Sequence, residues 1–208
     1  MIKAFLLIFQ PGPTWDRIVL ARRSPRFLLL GYLLPMMLLA ATAEGLGLLE
    51  WGKMQPGIHR IHKFTAGEVL IYEIAQSLLM LLAIVTSACL IKVLGGTFHG
   101  RHKYTDTFNL VIYGVSPIFL LRLLDAFPFI SPWLTWGIGI ALAIEVLYQG
   151  ILLVLQPDMP SAFGLFFMCS ALVVTLTGSV RFLAVWYLTG HLPALEKIIS
   201  FLAAKLPF

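Results

Sequence analysis

The stretch that decides the fold is Val69–Ile91, VLIYEIAQSLLMLLAIVTSACLI, in which Glu73 is the single charged residue. At about 1.5 Å per residue, a helix of this length covers the roughly 30 Å hydrocarbon core of a bilayer. It lacks the strict apolar–polar alternation of a barrel strand. Because backbone groups in lipid must bond within their own segment, we predict a transmembrane helix here.

The composition of the whole chain agrees with a membrane protein. Of its 208 residues, 59% are apolar and 12% are charged, and the mean hydropathy is +0.90. A soluble domain carries about a quarter charged residues, so this chain has too few to cover a water-exposed surface. The composition excludes an ordinary cytosolic globular protein, a disordered chain and a nucleic-acid-binding domain. We expect the net charge of +5 to set topology rather than to bind nucleic acid.

Four further charge-poor stretches have the length of a span. With the first they give five predicted spans: Phe27–Leu49, Val69–Ile91, Thr107–Leu121, Pro132–Leu155 and Ala162–Tyr187. Turn-forming residues separate them, among them Gly95-Gly96 and Pro157-Asp158-Met159-Pro160. Kinks are expected at Pro35 and Pro117, which lie inside spans. The predicted fold class is an all-α polytopic membrane helix bundle with five transmembrane helices.

Both ends of the chain carry amphipathic patterns. The apolar faces comprise Ile2, Phe5, Leu6 and Phe9 at the N-terminus and Leu195, Ile198, Ile199, Leu202 and Leu206 at the C-terminus. Such faces are typical of helices that lie in the membrane surface, and the alternative is that these helices pack back onto the bundle. We therefore expect an interfacial segment at 1–25, a transmembrane domain at 26–190 and an amphipathic C-terminal helix at 191–208.

The positions of the basic residues predict the orientation of the chain. Arg22, Arg23 and Arg26 lie ahead of the first span, and this cluster favours a cytoplasmic N-terminus. Five spans then place the C-terminus outside. In this arrangement most tryptophans fall at the outer interface, and Trp15 falls at the inner one. The outer set is Trp51, Trp133, Trp136 and Trp186.

Short motifs across nearly the whole chain point to a family. They are Phe9–Ile18 (FQPGPTWDRI), Leu94–Phe98 (LGGTF) followed by Val111–Pro117 (VIYGVSP), and Leu147–Gly150 (LYQG) followed by Pro160–Gly164 (PSAFG). The chain thereby resembles prokaryotic members of the Yip (Ypt-interacting protein) family. The resemblance implies a five-span bundle and supplies no catalytic residues. Eukaryotic members are associated with Rab-type GTPases through a long cytoplasmic N-terminal region. Because only 1–25 precedes the first span here, we expect a prokaryotic inner-membrane protein.

Ionisable residues within the spans form the candidate site. A charge at mid-span costs about 2.5 to 3.5 kcal/mol on the insertion scale, so it normally faces protein or water and finds a partner. Five of the six are predicted in the outer half of the bilayer, and Glu145 lies nearer the middle. The candidates are Glu44, Glu73, Arg122, Asp125, Glu145 and Arg181. Two interpretations stay open: a cavity that binds a polar headgroup or relays protons, and a set of ion pairs that fixes helix register without a ligand.

Other motifs are expected to be structural. The pairs His59/His62 and His99/His102 have a spacing that can bind metal, but the predicted topology puts them on opposite sides of the membrane. Glu50, Glu68 and His191 could join the outer pair, which leaves a metal site as an alternative. Gly95-Gly96-Thr97 lacks the lysine of a nucleotide loop and is expected to end a helix. Cys89 and Cys169 lie within apolar stretches, so we expect no disulfide, metal or cofactor.

Small residues recur in the last two spans and favour close approach of helices. They are Gly137, Gly139, Ala141, Ser170, Ala171 and Gly178. Packing within the chain is the default expectation, and an interface between copies of the chain is the alternative.

Three classes of function remain after these observations. The first is a membrane scaffold or adaptor that organises lipids or partner proteins, and the absence of a recognisable catalytic motif favours it. The second is a small channel, transporter or lipid-handling protein that uses the intramembrane charges. The third is an intramembrane enzyme, which we do not expect. The expected partners are the lipid bilayer, a bound lipid, and a second copy or another membrane protein.

Overall fold

Five long apolar helices form the bundle. The computed structural model describes residues 2–21, 23–55, 60–97 and 103–204. In chain order the helices are α1 (Ile2–Phe9), α2 (Pro11–Ala21), α3 (Pro25–Glu50), α4 (Ala66–Thr97), α5 (Tyr104–Ala126), α6 (Pro132–Leu155), α7 (Met159–Leu188) and α8 (Pro193–Ala203). Helices α3 to α7 are long and apolar enough to cross a membrane. The prediction of an all-α membrane bundle with five spans is confirmed.

The third span lies at the centre of the bundle. Most of α5 is buried, whereas less than half of each other span is buried. Helix α5 packs against α3, α4 and α6, and α7 packs against α4 and α6. The outward faces of the other four spans carry large exposed apolar side chains, which is the pattern of a helix that borders lipid.

The two spans with the predicted internal prolines each change geometry just ahead of that proline. In α3 a wider π-type turn at Leu29–Leu33 precedes Pro35. In α5 the α-helical pattern is interrupted at Val115, immediately before Ser116 and Pro117. A proline supplies no N–H to the preceding turn, so each break lies where one helical hydrogen bond is lost.

Glycines allow the spans to approach closely within the chain. A Cβ at Gly139 would lie 3.0 Å from the Cα of Ile118, and one at Gly178 would lie 3.1 Å from the Trp136 ring. Both residues therefore serve packing inside the bundle. Gly137 differs, because a Cβ there would meet no atom within 4 Å.

A short β-hairpin connects α3 to α4. Strands β1 (Lys53–Gln55) and β2 (Arg60–His62) pair antiparallel, with Lys53 opposite His62. Gly52, just before β1, has a φ of +69°, and a Cβ there would lie 2.4 Å from the His62 carbonyl oxygen. The all-helical expectation did not include this hairpin. We call this end of the bundle, where α3 ends and α4 begins, the hairpin end.

The N-terminal helices pack back onto the bundle through a face that the sequence did not single out. In α1 the buried residues are Ala4 and Leu7, whereas Ile2, Phe5 and Phe9 are exposed. The Trp15 ring on α2 is fully buried, and its Nε1 donates a 2.9 Å hydrogen bond to the Val146 carbonyl. The expectation that Trp15 lies in an interfacial belt is corrected accordingly, because Gly150 leaves space for the ring inside the bundle.

The C-terminal helix lies on the hairpin end. Helix α8 packs against α4, where a Cβ at Gly67 would lie 3.0 Å from the Cβ of Ala203. Of the predicted apolar stripe Ile199 is buried, and Leu195, Ile198 and Leu202 are exposed. Leu206 lies outside the described residues.

Candidate functional site

Arg122 joins two carboxylates that come from different spans. Its Nε lies 2.7 Å from Glu44 Oε2 on α3, and its Nη2 lies 2.6 Å from Glu73 Oε2 on α4. Arg122 is 3% exposed and Glu44 is 2% exposed. The planar guanidinium holds donors in a fixed fork, so one arginine sets the relative positions of α3, α4 and α5.

Arg181 makes the second set of contacts, between α7 and the start of α6. Its Nη2 pairs with Asp125 Oδ2 at the end of α5. Its Nε and Nη2 also donate to the Pro132 carbonyl at 3.0 and 2.8 Å. Thr135 bridges the pair, since its hydroxyl donates to Asp125 Oδ1 at 2.6 Å and lies 3.0 Å from Arg181 Nη2. These contacts fasten α7 to the turn between α5 and α6.

The structure therefore brings five of the six predicted residues together. Glu44, Glu73, Arg122, Asp125 and Arg181 are all buried near the hairpin end, and we call them the ion-pair cluster. Its members come from four spans, and the fifth, α6, is joined to it through Thr135, which hydrogen-bonds to both members of the second pair. Such pairing is the arrangement expected for charges inside a membrane span.

Glu145 does not belong to the cluster, which corrects the sixth assignment. Its neighbours Ala143, Val146 and Leu147 form the buried face of α6, whereas Glu145 is exposed on the opposite side. The difference follows from helical geometry, because successive residues of a helix are about 100° apart around its axis. A count of charge-free residues along the chain does not supply that angle.

Sequence reasoning missed two polar residues that complete the cluster. The Tyr72 hydroxyl donates to Glu44 Oε1 at 3.1 Å, and Thr135 bridges Asp125 and Arg181. Tyrosine and threonine are common in spans and signal nothing individually. The one signal in the sequence for a role of Tyr72 is its position next to the candidate residue Glu73.

A small cavity lies between the two sets of contacts. Its volume is about 10 Å³, and Arg122, Asp125 and Arg181 contribute to its wall together with Gln76. Among the described residues, Gln76 Oε1 and Arg122 Nη1 are buried and have no hydrogen-bond partner. A space of about 10–15 Å³ holds one water molecule, so the cavity has room for a single water between an acceptor and a donor.

The charges of the cluster do not balance. Three carboxylates face two guanidiniums, and the excess lies where Glu44 and Glu73 share Arg122. Lys53 on β1 is a further cation at this end of the bundle. Burial lowers the pKa of Lys53 below its usual value, and the attraction of Asp125 and Glu44 opposes that shift. The hairpin thus places a half-buried ammonium within electrostatic reach of the cluster.

The histidines do not form a metal site in the described part of the chain. The His62 ring contacts Phe64 edge-on, with ring centroids 4.7 Å apart, and His191 Nδ1 lies 2.8 Å from the Thr189 hydroxyl. No group of three His, Cys, Asp or Glu residues that could hold a metal is found in the described ranges. His59, His99 and His102 lie outside them. Cys89 is exposed, Cys169 is buried, and both are free thiols.

Comparison with known proteins agrees with the architecture. Neither the curated proteins nor the solved structures give a match. Among protein families, the Yip1 domain matches residues 5–189, which include all five spans and every member of the ion-pair cluster. The match covers most of the 208 residues, so the chain belongs to the Yip1 domain family of integral membrane proteins.

Proposed function

We propose that the chain is a membrane scaffold or adaptor, which organises lipids or partner proteins and catalyses no reaction. The observation that carries this proposal is the internal use of the ion-pair cluster. Both guanidiniums are bound to carboxylates of neighbouring helices, and all five residues are at most 7% exposed. Charges committed in this way hold helices in register and leave little capacity for a transported ion.

The surface of the bundle supports the same proposal. The spans present many exposed leucine, isoleucine and phenylalanine side chains to the surroundings. The bundle also carries short helices at both ends, α1 and α2 on one and α8 on the other. A rigid interior with apolar outer faces is suited to contacts with lipid chains or with the helices of another membrane protein.

We propose the bacterial inner membrane as the location, with the N-terminus in the cytoplasm and the C-terminus outside. Arg23 precedes α3 and Arg26 lies in its first turn, and both support this orientation through the positive-inside rule. Single cysteines at Ser24 and Thr65, in a variant without Cys89 and Cys169, test it by labelling of intact cells with a membrane-impermeant maleimide. Labelling of the Ser24 variant rather than the Thr65 variant would refute the orientation.

A small channel or transporter is the second candidate. It is favoured by the small cavity between Arg122 and Arg181, which has an unpartnered donor and an unpartnered acceptor at its wall. A water molecule, or a proton carried by it, would form hydrogen bonds with these two groups. The volume of about 10 Å³ leaves room for one water and none for a larger solute.

Flux measurements on reconstituted vesicles separate the two candidates. Purified protein is placed in vesicles with an internal pH dye, and proton and potassium fluxes are compared with those of protein-free vesicles. A scaffold gives equal rates in both. A protein-dependent flux that Glu73→Gln and Arg181→Gln remove, and that Glu145→Gln retains, would establish transport and refute the scaffold. Glu145→Gln is the matched control because Glu145 is a span carboxylate outside the cluster.

A further inference from the structure

A groove opens sideways from the bundle between α3 and α4, next to the ion-pair cluster. Its volume is about 530 Å³, within the usual 300–1,000 Å³ of ligand pockets. Apolar side chains line it from Leu49 to Leu38 on α3 and from Ala66 to Leu78 on α4. Among the described residues that line it, Glu73 alone is charged. We call this space the lateral groove.

The length of the lateral groove matches one leaflet of a bilayer. The 11 steps from Leu38 to Leu49 correspond to about 16 Å at 1.5 Å per residue. Half of a hydrocarbon core about 30 Å thick is about 15 Å. The groove begins at the hairpin end and stops near mid-span, and Glu73 lies about halfway along it. A lipid whose headgroup reaches Glu73 would therefore place the start of one acyl chain in the inner half of the groove.

The carboxylate of Glu73 decides what kind of headgroup accompanies that chain. Glu73 Oε2 is bound by Arg122, whereas Oε1 is buried and has no partner among the described residues. A buried acceptor requires a donor. Because Glu44 and Glu73 share one guanidinium, this part of the cluster carries an excess negative charge. A cation that donates an N–H would satisfy Oε1 and would attract this carboxylate more strongly than an anion or a neutral group.

We propose that the lateral groove binds a phospholipid with a primary ammonium headgroup, with one acyl chain in the groove and the ammonium N–H donated to Glu73. This inference rests on the proposed scaffold function and specifies which lipid the protein organises. A quaternary ammonium has the charge but no N–H, and a glycerol headgroup has hydroxyl donors but a net negative lipid. Both fit the site less well than a primary ammonium.

Native mass spectrometry of the delipidated protein tests the proposal. The protein is titrated in detergent with dioleoyl phosphatidylethanolamine, phosphatidylcholine or phosphatidylglycerol, which share acyl chains and differ in headgroup. We expect the ethanolamine lipid to bind about tenfold more tightly, the effect of one charge-assisted hydrogen bond. Equal affinities, or a preference for either other lipid, would overturn the proposal.

Two substitutions locate the binding. Glu73→Gln removes the excess charge and should reduce the headgroup preference to less than about twofold. Ala41→Trp places a large ring in the groove and should abolish tight binding of all three lipids, because Ala41 lines it. The matched controls are Glu145→Gln and Ala141→Trp, which alter exposed positions on α6 and should bind like the parent.

The possible results distinguish this inference from the proposed function. If Ala41→Trp and Glu73→Gln bind the ethanolamine lipid like the parent, the groove is not the site. If the spectra instead show a dimer that Ala41→Trp dissociates, the groove holds a second copy and the lipid proposal is wrong. Protein-dependent ion flux would refute the scaffold function whatever the lipid preference.

Discussion

Removal of Arg122 provides the sharpest test of the ion-pair cluster. In Arg122→Met an apolar side chain replaces the guanidinium, and Glu44 and Glu73 remain buried without their cation. Removal of one partner from a buried ion pair costs about 3–5 kcal/mol, because the other charge is left uncompensated. Although two carboxylates lose their cation, one of them can take up a proton and become neutral. We therefore expect the free energy of unfolding to fall by about 3–5 kcal/mol, the cost for one uncompensated charge.

A second variant separates charge from shape. Arg122→Lys keeps a positive charge but replaces the fixed fork with a single ammonium, which cannot reproduce both contacts. We expect a loss of about 1–3 kcal/mol, the cost of one buried group left without its hydrogen bond. The triple variant Glu44→Met/Glu73→Met/Arg122→Met removes all three charges. It should recover most of the stability, because apolar groups of similar volume replace buried ion pairs at little cost.

Unfolding in mixed detergent micelles measures these differences. The fraction of unfolded protein is followed by tryptophan fluorescence while the denaturing detergent is increased, and midpoints are compared at constant slope. Glu145→Gln serves as the control and should stay within about 0.5 kcal/mol of the parent. A loss below about 1 kcal/mol for Arg122→Met would refute the reasoning. So would a triple variant less stable than Arg122→Met.

Three further predictions concern other parts of the bundle. Thr135→Val removes the hydroxyl between Asp125 and Arg181 and should lower the unfolding free energy by about 1–3 kcal/mol in the same titration. The control Thr175→Val, at an exposed site on α7, should lower it by less than about 0.5 kcal/mol. Trp15→Phe removes the indole donor from the Val146 carbonyl, which keeps only its bond within the helix, and should cost about 0.5–1.5 kcal/mol, with faster proteolysis of the N-terminal helices as a second readout. Burial lowers the pKa of Lys53, so its protonated form opposes folding, and Lys53→Met should raise the melting temperature at neutral pH. This gain should shrink as pH rises through the lowered pKa toward the unfolded value near 10.4. A constant gain from pH 7 to 10 would contradict that cause.

The sequence predicts the spans because one physical rule determines them. An apolar stretch long enough to cross the bilayer must be helical, and the predicted Pro132–Leu155 coincides with α6. The other predicted spans fall inside helices that extend further at both ends, from one residue at the end of α3 to six at the end of α4, which runs from Ala66 to Thr97. Helix ends in the polar interface depend on turns and caps, which hydropathy does not describe.

The sequence predicts the depth of each charged residue in the membrane, but the orientation of each helix about its axis decides which of them meet. Charged side chains at one depth can pair only if each lies on the face of its helix that points into the bundle. Arg122 and Glu73 lie on such faces and form an ion pair, whereas Glu145 lies on an outer face. Trp15 shows the same limit, because its place in the chain suggests an interface while its ring lies in the core. Packing of neighbouring helices sets these directions, and a single chain read in order does not contain them.

The two ends of the bundle are held together by different forces, and this difference bears on function. At the hairpin end polar contacts join all five spans through Arg122, Arg181 and Thr135. At the other end Trp15 packs against Tyr113 and Gly150, where contact is mostly apolar. Apolar packing gives no preference for a charged headgroup, whereas the cluster leaves one carboxylate oxygen beside the lateral groove. Selective contact with an ammonium headgroup is therefore expected in the leaflet at the hairpin end.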